Sequence, residues 1–200
     1  MKTQIIKLLT VLTLGLGITK NTYAAAPAKN QTYTVLKNIS AINKIEVHGN
    51  VELYVSDGEN DLVKVYNNYY HESAMVQSKN GVLCITSYKT EKLVVWVTAN
   101  DLRSITAYDD AEVKSFGKLS AIEFNVDLYN NASAKLDLDV ANATIVVNNK
   151  AKVNLSGIVN DYELKYNNPL NIDQKDLVAV HSTKTVIGIT AAKGEELADL

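Results

Sequence analysis

The sequence predicts an all-β protein: a right-handed parallel β-helix with coils of about 20 residues, preceded by short strands and hairpins. Three observations carry this. The 200 residues contain 21 Asn against only 9 Gly and 2 Pro. Asn is the main non-Gly residue that tolerates the left-handed backbone region, so the chain turns often. Apolar residues alternate with polar ones at the strand period through most of the first half. In the second half, the apolar anchors Val113, Ala134, Val153 and Ile172 recur 21, 19 and 19 residues apart. A composition that is 46% hydrophobic and 21% charged, with net charge −2, fits one soluble globular domain or two small ones. It excludes a basic nucleic-acid binder and an acidic solvating tail.

The elements follow in chain order. Lys2 and Lys7 precede an apolar stretch of eleven residues, 8–18, and Thr22-Tyr23-Ala24 places small residues at −3 and −1 of a cleavage site. This pattern predicts a secretory signal peptide over residues 1–24, too short to span a bilayer. No Cys lies directly after the apolar stretch, which argues against a lipoprotein anchor, and no later stretch is apolar enough for a membrane helix. Its removal lowers the formal charge to −5. Residues 25–38 are then a lead-in, 39–190 a β-helical head domain and 191–200 a polar C-terminal tail.

Ile45-Glu46-Val47-His48 alternates and meets the turn signal Gly49-Asn50. Val51-Glu52-Leu53-Tyr54-Val55 alternates again and runs on to Asp57-Gly58. Leu62-Val63-Lys64-Val65-Tyr66 leads to Asn67-Asn68, and residues 82–88 follow Asn80-Gly81. Leu93-Val94-Val95-Trp96-Val97 is nearly continuous, as expected of a strand buried on both faces. Residues 67–77 and 193–200 leave room for a helical turn. Cys84, the sole cysteine, excludes a disulfide framework and is expected as a buried structural residue in an apolar strand.

In the repeats, Asp109-Asp110 aligns with Asn130-Asn131, Asn148-Asn149 and Asn167-Asn168. Tyr108, Tyr129 and Tyr166 precede three of these pairs, and Val147 precedes the other. Residues 181–186 form a shortened fifth turn. A unit of this length, all strand and turn, cannot bury its apolar side alone, whereas stacked parallel coils can. Three strands of four or five residues and three tight corners fill about one repeat. Leu136-Asp137-Leu138-Asp139-Val140 puts leucines inward and aspartates outward. Val147 and Tyr166 suggest that the residue before each pair points inward, yet Phe124, Val126 and Leu128 imply the opposite phase one coil earlier. A bulge at that corner would reconcile them, and the direction of Tyr129 stays open.

The segment Asn43-Lys44-Ile45-Glu46-Val47-His48-Gly49-Asn50-Val51-Glu52-Leu53-Tyr54-Val55 resembles the start of the head GIN domain of bacterial autotransporter adhesins. Asn80-Gly81-Val82-Leu83-Cys84-Ile85 and the stretch from Val94 to Ile105 resemble that family's next strands. The likeness covers residues 39–190 and rests on structural patterns, with no catalytic signature. The family's Ser-Gly corners are replaced here by Asp and Asn pairs, which can adopt the same backbone at modest cost. The resemblance implies a secreted β-helical domain labelled adhesin by analogy.

Catalytic patterns are sparse. His48, His71 and His181 show no metal-ligand spacing, and there is no phosphate loop, nucleophile elbow or zincin helix. Neither a metal nor a cofactor is expected. Asp109, Asp110, Asp127, Asp137 and Asp139 read as turn-forming and surface acids, with a cation or sugar site as the sharper alternative. The Tyr series is a packing ladder if inward and a strip for stacking sugars if outward; packing is favoured because aligned residues in stacked coils touch.

The candidate binding residues are therefore Tyr108, Asp109, Asp110 and Tyr129. The function expected is an exported, non-enzymatic domain recognising a glycan or protein on a cell or envelope surface, periplasmic or extracellular. The ten residues after 190 leave no room for a translocator barrel. The alternatives are a β-helix polysaccharide-degrading enzyme and a structural envelope protein that self-associates through its coil ends into a homo-oligomer.

Overall fold

The computed structural model describes residues 33–37, 39, 41–66 and 74–188. The signal-peptide stretch, His71 and the C-terminal tail lie outside these residues.

Among the described residues, twelve strands form one sheet: β1 (Thr34–Val35), β2 (Lys44–Gly49), β3 (Val51–Asp57), β4 (Leu62–Tyr66), β5 (Ala74–Lys79), β6 (Val82–Ser87), β7 (Leu93–Ala99), β8 (Ser104–Ala107), β9 (Glu112–Leu128), β10 (Ser133–Val147), β11 (Lys152–Tyr166) and β12 (Ile172–Val186). The alternating sequence segments become these strands because each buries every second residue: β2 and β3 place Ile45, Val47, Val51, Leu53 and Val55 inside. The all-β expectation holds in this coarse form. The sheet is mixed rather than wholly parallel, because β4 runs antiparallel to β1 and β7, and β5 antiparallel to β6.

The sheet curls into two long stacks. In one, β6, β2, β8 and the second halves of β9, β10, β11 and β12 lie side by side in parallel. In the other, β7, β3 and the first halves of β9 to β12 do the same. Their inner faces meet in one mainly aliphatic core that includes Leu119, Leu136 and Leu138 together with Phe124.

The anchors found by spacing are true neighbours: Ala134 pairs with Val113 and Val153, and Val153 with Ile172. The longer first repeat has a local cause. Ser115, Phe116 and Gly117 of β9 bulge opposite the single residue Leu136, between the pairs Lys114–Lys135 and Lys118–Asp137. The three tight corners expected per coil are not seen. Each repeat has one tight turn, and the rest is a continuous strand that bends where two successive residues face out, as at Ala141-Asn142 and Asn160-Asp161. Gly157 in β11 sits at φ +103, where a Cβ would strike the Leu138 carbonyl, so only glycine fits.

Three local expectations are corrected. Residues 74–77 are strand, not helical turn, and pair with β6 as a hairpin. β7 is not buried on both faces: Leu93, Val95, Val97 and Ala99 point in, while Val94, Trp96 and Thr98 are half-exposed. Cys84 is outside the core, half-buried on the outer face, with its Sγ 3.9 Å from Thr86 Oγ1.

Candidate functional site

The turn between the two stacks is where the sequence placed its site. Asp109, Asn130 and Asn149 occupy its left-handed position, with φ of 61°, 61° and 58°, in line with Gly49 at 83°. Asn130-Asn131 aligns with Asp109-Asp110 as expected, whereas Asn148-Asn149 is offset by one. Asn149 follows Asn130, and Asn148 follows Tyr129, because Asn148 N–H donates to Leu128 and Tyr129 N–H to Ala107. Asn168 departs from the series, with extended backbone at φ −134° and a side chain that caps the 3₁₀ turn Pro169–Asn171.

Carboxylates and amides at this turn satisfy one another across strands. Asn130 Nδ2 donates to Asp109 Oδ1 at 2.9 Å, Asn131 Nδ2 to Asp110 Oδ1 at 3.0 Å, and Asn149 Nδ2 to Asn130 Oδ1 at 3.3 Å. Tyr88 also donates its hydroxyl to Asp109 Oδ2 at 3.3 Å. The two aspartates are therefore committed to a hydrogen-bonded ladder.

Beside the ladder, Tyr108 and Tyr129 stack at 4.9 Å and 9°, and His48 stacks on Tyr108 at 4.5 Å and 6°. Leu128 takes the inward place, so Tyr129 faces outward and half-exposed; the row is both outward and packed. Tyr166 is not part of it, because it aligns with Val147 in the inward column. Burial, then the neighbouring Asp127 and Tyr108, push the Tyr129 hydroxyl up. Desolvation likewise raises the Asp127 carboxyl, against the pull of Lys44 and Lys165. The structure therefore brings together all four residues chosen from sequence, Tyr108, Asp109, Asp110 and Tyr129.

A second aromatic row was missed. On the outer face of the other stack, Trp96 stacks on Tyr54 at 4.7 Å and meets Phe116 at 5.4 Å and Tyr66 at 6.4 Å. Tyr33 extends the row to the far side of Tyr66. Lys114 lies 5.7 Å over the Tyr54 ring and pairs with Glu52 at 2.5 Å and Glu112 at 3.2 Å. The signal was present in the alternation of Tyr54, Tyr66 and Trp96 within their strands. Phe116 carried no such signal, since it protrudes from the bulge and is 64% exposed.

The remaining acids and histidines are dispersed. Asp139 pairs loosely with Lys118 at 3.9 Å, and His181 with Asp161 at 3.1 Å. Among the described residues no three His, Cys, Asp or Glu side chains are grouped to hold a metal ion. No helix among them is long and apolar enough to cross a membrane.

Fold and surface together define an all-β domain that turns packed aromatic rows outward. The chain belongs to the family described as "Putative auto-transporter adhesin, head GIN domain", whose profile matches residues 41–192. Two similar solved structures are a "putative adhesin" from Parabacteroides distasonis (12% identity, 78% of this chain and 79% of that one, TM-score 0.56) and another from Parabacteroides merdae (15%, 80% and 79%, 0.56). A third, a "putative lipid binding protein" from P. distasonis, is 10% identical over 78% of both chains with TM-score 0.56. These likenesses concern the fold alone. No curated protein matches the chain.

Proposed function

We propose that this chain is an exported, non-enzymatic binding domain that recognises a glycan or protein on a cell or envelope surface through the outer face of its stacked strands. The observation that carries the reading is the placement of aromatic rings. The inner face is already filled, mostly by aliphatic side chains with Phe124 and Tyr162 among them, so the outward rows His48–Tyr108–Tyr129 and Tyr54–Trp96–Phe116 are not needed to build the core. Rings held by their neighbours lose little freedom on contact and offer preorganised area to a ligand. Family membership supports the adhesin class. The parallel register of β9 to β12 supports describing that part as a β-helix.

The hydrogen bonding of Asp109 and Asp110 to Asn130 and Asn131 favours turn-building over acid–base catalysis. Glycan arrays and pull-downs with envelope fractions test the proposal. Capture of a defined ligand, lost on substituting outward aromatics, is expected; absence of any binding overturns it. Protease accessibility on intact cells separates a surface location from a periplasmic one.

A further inference from the structure

The outer face of the second stack holds a shallow groove of ≈ 510 Å³ lined by Lys114, Lys135, Lys152 and Lys175. It shares Ser133, Lys152 and Asn171 with a neighbouring hollow that adds Asn131, Asn149 and Lys150. Among the described residues, Lys135, Lys150, Lys152 and Lys175 have no carboxylate within ion-pair distance. The one acid in the groove, Asp173, accepts a hydrogen bond from Asn154 Nδ2 at 3.1 Å. A chain of net charge −2 thus concentrates unpaired cations on one surface.

This groove continues the aromatic row. Trp96, Tyr54, Lys114, Lys135 and Asn154 occupy one register line across five adjacent strands. At a strand spacing of about 4.8 Å, the line presents two rings, then two cations, then one amide at short regular intervals.

We propose that the groove binds an acidic polysaccharide, with carboxylate or sulfate groups on the lysines, hydroxyls on the Asn and Ser side chains, and an apolar sugar face on Phe116. The chemistry selects this class over a neutral glycan because four unneutralised ammonium groups gain most from repeated negative charges. Amides and a serine beside them supply the donors and acceptors that hydroxyls need. The proposal rests on the reading of the chain as a surface-ligand binding domain.

The test measures binding of the full chain to immobilised polygalacturonate (uronate), heparin (sulfated) and dextran (neutral) at low and physiological salt. Binding to either acidic polymer but not dextran is expected, several-fold weaker at the higher salt. The double variant Lys135→Gln/Lys152→Gln is expected to bind about fivefold more weakly or worse. Lys79→Gln, in β5 and outside the groove lining, is expected to bind as the unaltered chain does, with circular dichroism melts confirming that each variant folds. Equal binding to dextran, or undiminished acidic-polymer binding by the double variant, overturns the groove and leaves the binding-domain reading intact. So does failure with all three polymers when envelope pull-downs still capture a ligand. Failure in every assay defeats both.

Discussion

Lys184 stands directly beside Leu164, one strand further along the same inward-facing column. Leu164, Ile145, Val126 and Ile105 fill that column in the preceding strands and are buried. Ser182 similarly succeeds Tyr162. Charge and hydroxyl at core positions end the stack, because a further strand laid on β12 would have to bury an ammonium group. Lys184→Leu is therefore expected to promote association that rises with concentration, read by light scattering. Unchanged scattering would show that β12 is protected by something other than this residue.

Asn130 combines a left-handed backbone with two side-chain hydrogen bonds, to Asp109 and from Asn149. Asn130→Ala is expected to lower stability by about 1–2 kcal/mol, from backbone strain and loss of the ladder. Asn130→Gly keeps the backbone and is expected to cost about 1 kcal/mol or less. Thermal melts of the two variants check the order; equal losses would assign the effect to the ladder rather than to φ.

Tyr162 is buried in the core with a hydroxyl that has no hydrogen-bond partner. Burial raises its pKa far above the usual phenol range. Tyr162→Phe removes the stranded group without opening a cavity and is expected to gain about 1 kcal/mol. Phe124 already fills the same column two strands earlier. A lower melting temperature would contradict this account.

Glu52 and Glu112 lie directly opposite each other on adjacent strands. A hydrogen bond from Lys114 holds Glu52 low, and one from Lys92, then Lys114, does the same for Glu112, while burial opposes both. Because the folded pKa values are depressed, this stabilisation is complete above the unfolded carboxylate range and disappears as pH falls through the folded values. Lys114→Met is expected to cost about 1 kcal/mol at neutral pH. The cost should shrink in acid and in high salt. Denaturation curves across pH check it, and a pH-independent cost would point to lost packing on Tyr54 instead.

Much of the architecture was legible because strand burial writes a two-residue period into the sequence. Val113, Ala134, Val153 and Ile172 were placed in line by spacing alone, and the structure pairs them so. The corner was harder. Tyr129 and Asn148 share a position although their residue types differ, so matching like with like put Asn148-Asn149 one residue out. The bulge at Phe116 shows in the sequence only as the 21-residue spacing from Val113 to Ala134, which gives its length but not its place, since an extra loop of backbone obeys neither face. Trp96 was hidden for another reason: β-branched neighbours on both faces of β7 imitate a fully buried strand. The lysines of the groove lie on different strands and in two rows, so only the fold assembles them.

Between β10 and β11 every paired residue sits 19 positions from its partner, with no slip from Ser133 to Val147. That span is a unit of length. A tandem copy of it would lengthen the molecule by one strand spacing, about 4.8 Å, and leave the existing neighbours in register. A copy of the repeat containing Phe116 would instead carry a second protrusion to the surface. Reach and display are thus separately adjustable, one by the number of turns and the other by where a bulge falls.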